Sequence, residues 1–142
     1  MPRPMQEDPA DLIERVEVFL KNGRDDPAAE TLRSLLAREQ LSEAQLRKLA
    51  HLAHQLRRPD LECRALERAT VGGLQSFPLR TRLVDLWLAL SRTGPARHLA
   101  ETLAKERPND DAVLLRLARA LEACGDYEEA ARVLADRLHK GP

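Results

Sequence analysis

The chain has 142 residues, 43% of them hydrophobic but only 3% aromatic, and its 23 Lys+Arg against 23 Asp+Glu give a formal net charge of +0. That length suits one ordinary domain, and the charge balance removes the global field that would draw a protein to nucleic acid or to an anionic membrane. With so few rings, the core has to be built from Leu, Ala and Val, and nucleobases would find little to stack on.

The predicted elements begin with Asp8 as the cap of a first helix, followed by Pro9 at a position where a missing N–H costs nothing. Asp26-Pro27 repeats the device for a second helix. Leu41-Ser42-Glu43-Ala44-Gln45-Leu46 is a fuller start, because Ser42 can accept from the N–H three residues on while Gln45 reaches back and Leu41 staples onto Leu46. Pro59-Asp60 opens a fourth helix, and Val71-Gly72-Gly73-Leu74-Gln75-Ser76 is the longest non-helical connection. Phe77-Pro78 opens the fifth helix, Gly94-Pro95 the sixth, Asn109 or Asp110 the seventh and Asp126 the eighth, and Lys140-Gly141-Pro142 is a stop. No alternating β-branched run is present, so strands are not expected. No apolar stretch approaches the roughly 18 residues that span a bilayer, and Met1 to Asp8 lack the apolar core of a secretion signal. A cytoplasmic protein that does not enter a membrane is therefore expected.

A register repeats along these helices. Before Gly125, leucines stand 11, 8 and 4 residues back, with Ala118 seven back, Ala130 five on and Leu134 nine on. Around Gly23, Leu12, Val16 and Phe19 stand 11, 7 and 4 back and Ala28, Leu32 and Leu35 stand 5, 9 and 12 on, with Arg15 as the departure. Counted from Gly94, Leu83, Leu86 and Leu90 take the large positions, Trp87 sits where a small residue is expected, and Pro108 comes early, so a shortened turn is inferred. Around residues 42–70, Leu46, Leu49, Ala50 and Ala53 fit if Arg57 takes the glycine's place. This pattern resembles the tetratricopeptide repeat, in which small residues let two antiparallel helices touch.

The resemblance implies an all-α fold, a right-handed α-solenoid of about four antiparallel hairpins at 8–40, 41–72, 76–107 and 109–140, forming a single domain over 1–142. It further implies that residues 13, 10, 6 and 3 before each turn face a ligand, which in the second hairpin selects Ala44, Arg47, His51 and His54. In the third hairpin it selects Thr81, Val84, Leu88 and Ser91, and in the fourth Ala112, Leu115, Arg119 and Glu122. The positions nine before the turn add Lys48, Asp85 and Arg116. The expected groove is an apolar strip from Val84, Leu88 and Leu115 among cations from Arg47, Lys48, Arg116 and Arg119, suited to a peptide with an apolar anchor and an acidic group. Chaperone-tail recognition does not fit, because no asparagine lies on these faces.

Other chemistry is poorly supplied. His51 and His54 share a helix face but lack an evident third ligand for zinc, so no metal is expected. Cys63 and Cys124 fit neither a disulfide framework nor a zinc knuckle and are expected to be buried or half-buried thiols. Trp87 is expected to plug the core. No phosphate loop or nucleophile elbow is present, so neither an enzyme nor a cofactor is expected. The reading is a non-catalytic interaction scaffold with a protein or peptide partner and no nucleic acid. Its rivals are an accessory amino-terminal module of a larger bacterial enzyme or assembly, such as a transferase, and a self-associating module. For the latter, Val133, Leu134 and Leu138 on an uncovered eighth helix would make a homodimer through the C-terminal hairpin.

Overall fold

The computed structural model describes residues 7–139, with side-chain surroundings as far as Arg137. Among these residues the chain is all-helical: α1 Pro9–Lys21, α2 Asp25–Leu36, α3 Glu43–Gln55, α4 Pro59–Val71, α5 Phe77–Ala89, α6 Thr93–Glu106, α7 Asp111–Ala123 and α8 Tyr127–His139. The expected stop at Lys140-Gly141-Pro142 lies outside the described residues.

Side-chain caps set the start of the first helix of each hairpin. Asp8 accepts from the Ala10 N–H at 3.0 Å, Ser76 caps α5 through the Leu79 N–H, and Asp110 accepts from Ala112 and Val113. Ser42 and Gln45 exchange both bonds of a capping box, at 3.0 and 3.1 Å. Two starts fall earlier than expected. Helix α2 takes in Asp25 and Asp26 as its first turn, and α6 begins at Thr93, so Gly94 is helical.

The turns within the hairpins are one structure used four times. Gly23, Arg57, Ser91 and Gly125 adopt left-handed backbone with φ of 68°, 56°, 61° and 85°, each 34 residues after the last, the period of the tetratricopeptide repeat. At each, the following residue donates back to a carbonyl five residues earlier: Arg24 to Phe19, Arg58 to Ala53, Arg92 to Trp87 and Asp126 to Leu121, at 2.7–3.0 Å. The left-handed residue donates to the carbonyl three back, completing the bond pattern that satisfies orphan helix carbonyls. This corrects the third repeat. Its turn residue is Ser91, not Gly94, and Pro108 then stands 17 residues after it with no shortening. Serine can hold the left-handed conformation because the helix-end hydrogen bonds offset a modest steric cost.

The chain divides into two compact units, Met1–Leu74 and Gln75–Pro142. In the first, the hairpins α1–α2 and α3–α4 pack together, with α1 on α3 and α2 on both α3 and α4. Val16, Ala28, Leu32, Leu35, Leu49, Ala53 and Leu66 are among its fully buried residues. In the second, α6 packs on α5 and on α7, α7 on α8, and α5 on α7. Ala96, Ala100, Ala118 and Ala130 let those helices approach, Leu103, Val113 and Leu121 fill the core, and Trp87 packs against it half-buried, as its spacing predicts. Glu62 takes the repeat position held by Ala28, Ala96 and Ala130, and is buried, only 5% exposed.

Candidate partner-binding site

Counted from Ser91, the positions 10, 6 and 3 before the third turn are Thr81, Asp85 and Leu88. Val84 falls instead on the small, inward position and is 0% exposed, so it has no surface to offer a ligand. The expectation that it forms part of an apolar strip is corrected for that reason. Leu88 is half-buried against the second unit's core, and Leu115, 37% exposed, is the apolar residue this face presents to water.

The cations separate into two kinds. Lys48 lies 3.7 Å from Glu17 in the first unit, and Arg116 grips Asp85 with two bonds of 2.9 and 3.0 Å in the second. Both pairs join a carboxylate six before one turn to a cation nine before the next, an ion-pair rung that recurs with the repeat. The forked Arg116 pair is the stronger by geometry, whereas the Lys48 pair is exposed and contributes little. Arg47 and Arg119, by contrast, are exposed and make no ion pair among the described residues. His51 is exposed and meets Gln55 at 3.3 Å, while His54 places Nδ1 3.3 Å from the buried Glu62 carboxylate. Among the described residues no three His, Cys, Asp or Glu side chains converge to hold a metal ion.

Each unit thus keeps its own part of the expected site: Arg47, Lys48, His51 and His54 on α3, and Leu88, Leu115, Arg116 and Arg119 on α5 and α7. On α7, Leu115 and Arg119 are one turn apart and both exposed, so an apolar contact and a guanidinium lie side by side.

Several groups were not legible in sequence. Arg80 occupies the position held by Leu12, Leu46 and Leu114, and its side chain is only 13% exposed; it forks onto Glu106 at 2.8 and 3.0 Å. The bond from Arg80 holds the Glu106 carboxyl below its ordinary value near 4.5. Arg107 stacks 3.6 Å from the centre of the Phe77 ring. On α4, Arg58 likewise holds Asp60 low through a hydrogen bond, and Glu101 and Asp126 together raise Arg97. The 34-residue spacing was the signal available for Arg80, since it marks that arginine as an exception in an apolar column. Cys63 is buried as expected, but Cys124 is exposed, because it follows the last turn of α7 beside the Gly125 bend.

Residues 79–142 match the family model of the tetratricopeptide repeat. A search of curated protein sequences returns no significant match. Among solved structures, MamA of AMB-1 is 24% identical with a TM-score of 0.68, covering 95% of this chain and 75% of that one. MamA of MSR-1 is 22% identical with a TM-score of 0.68, covering 94% and 76%. MamA is a tetratricopeptide-repeat protein, and at such identity the likeness carries the fold: an all-α solenoid.

Proposed function

We propose that this chain, whose residues 79–142 are tetratricopeptide repeat and whose fold is that repeat's, is a non-catalytic scaffold that binds a protein or peptide through the exposed faces of its first-of-hairpin helices. The observation that carries this reading is Arg119. At its repeat position Glu17 and Asp85 are neutralised by the next hairpin, whereas Arg119 is exposed, without an ion pair among the described residues, and adjacent to exposed Leu115. A partner segment with an apolar side chain one helical turn's length from a carboxylate satisfies both groups at once. Arg47 on α3 supplies a further cation, with the His51 ring one turn along the same helix, while Lys48 and Arg116 are engaged in the ion-pair rungs between neighbouring hairpins.

The test is binding of a labelled leucine-and-aspartate peptide to the full chain, followed by fluorescence polarisation. Arg119→Glu and Leu115→Lys are each expected to weaken binding by about tenfold or more with helical circular dichroism unchanged. Arg47→Glu is expected to have a smaller effect. Binding that is indifferent to both α7 variants would overturn the reading.

A further inference from the structure

Three positions of each first-of-hairpin helix, 10, 6 and 3 residues before its turn, lie at helical spacing along one face. On α1, Ile13 is buried, Leu20 is half-buried and Glu17 faces Lys48. On α3, His51 meets Gln55 and His54 meets Glu62. On α5, Thr81 donates to the Pro78 carbonyl, Asp85 holds Arg116 and Leu88 is half-buried. Helix α7 differs, because Leu115, Arg119 and Glu122 are all exposed there and none has a side-chain hydrogen bond or ion pair among the described residues. The other charges of α7 are engaged, Asp111 with Arg137 and Arg116 with Asp85. The face thus leaves open a stripe of one apolar group, one cation and one anion, in that order, spaced by four and then three residues.

We propose that this stripe takes a helix of a partner protein carrying an apolar side chain, a carboxylate and an ammonium or guanidinium group at the same spacing, so that Glu122 sets the sign of the last group. The inference rests on the reading that Leu115 and Arg119 bind a partner, and adds what that partner carries beyond its acid. A helix matches the stripe because both rise by about 1.5 Å per residue. A segment of acids alone gains at Arg119 but is repelled at Glu122, one turn further on. A segment with a base there satisfies both. Each contribution between exposed charges is small, so the discrimination is a matter of a few fold and not of orders of magnitude.

The test uses two labelled designed helices that share a leucine and a glutamate at that spacing and differ in the third stripe residue, lysine or glutamate, each made in both chain directions. Titrated with the full chain at low salt, the lysine helix of the better-binding direction is expected to bind about fivefold more tightly than its glutamate counterpart. Glu122→Gln should remove that preference and Glu122→Lys should reverse it, with circular dichroism unchanged because the position is exposed in the last turn of α7. Arg119→Glu should weaken both helices. Equal binding of the two helices that still depends on Arg119, or a preference that survives Glu122→Gln, overturns the inference while leaving the partner-binding reading in place. Binding that ignores Arg119→Glu, or no binding by any of the helices, overturns both.

Discussion

Ser91 shows what a single backbone conformation decides. Glycine is the usual mark of a left-handed turn residue, so a nearby Gly94 drew the register three residues off and carried Val84 onto the binding face. The hydrogen bonds from Ser91 and Arg92 to the end of α5 fix the turn where no glycine marks it. Ser91→Gly is therefore expected to stabilise the protein by about 0.5–1 kcal/mol by relieving the side chain at φ 61°. Gly94→Ala, in a helical position with open space around it, should be neutral or mildly stabilising. Chemical denaturation of the two variants discriminates the registers, since a turn at Gly94 would require Gly94→Ala to be the damaging change. Arg80 poses a different residue-scale question, because its Nε is buried without a hydrogen-bond partner while its fork reaches half-exposed Glu106. Arg80→Leu, which restores the residue seen at three equivalent positions, should range from neutral to about 2 kcal/mol stabilising at neutral pH. Glu106 is depressed when folded, so its contribution is present above its ordinary value near 4.5 and lost as pH falls through the lower folded value. Thermal midpoints measured from pH 7 down to 3 should show that acid loss in the wild type and less of it in Arg80→Leu.

The helices themselves were largely legible, because their starts are local events. Ser42 with Gln45, Asp8 with Pro9, and Asp110 each declare a helix start within four residues of chain, and each is found capping. What the elements meet across the hairpins was less legible. The Asp85–Arg116 and Glu17–Lys48 rungs join residues that only the correct register brings together, and the Arg80–Glu106 fork replaces an apolar contact that the repeat pattern anticipates. The small residues of the last hairpin were an exception. Ala118 and Ala130 read as the contact between α7 and α8, and both are buried in the core those helices share. Replacing either by leucine should overpack that crossing and cost about 1–3 kcal/mol. Thermal midpoints unchanged in both variants would show that the helices do not meet there.

At the scale of the whole molecule, the 34-residue spacing of the four turns made the fold readable from two glycines and a column of leucines and alanines, even though the other two turns carry Arg57 and Ser91. The site was readable only in part, since whether a cation is free depends on what the neighbouring hairpin places opposite it. The repeat comparison also bears on self-association. Arg15 stands where Leu49, Leu83 and Leu117 are buried, and it pairs with Glu7 at 2.6 Å. Arg137 stands where Leu35, Ala69 and Leu103 are buried, and it pairs with Asp111 at 3.1 Å. On α8, Val133 and Leu134 pack against the second unit's own core, and the Leu138 side chain lies outside the described residues. The hairpins α1–α2 and α7–α8 therefore each carry an ion-paired arginine at a position where the other repeats bury an apolar side chain. Val133 and Leu134, two of the three residues expected to form an apolar flank for a homodimer through the C-terminal hairpin, are thus partly covered within the chain. Sedimentation velocity over a wide concentration range should show no association through α8 in the wild type. Arg137→Leu should introduce concentration-dependent association, because it removes a charge from that surface and adds apolar area worth about 25 cal/mol per Å² when covered. A wild-type dimer that Val133→Lys dissociates would show instead that α8 is an interface despite its arginine.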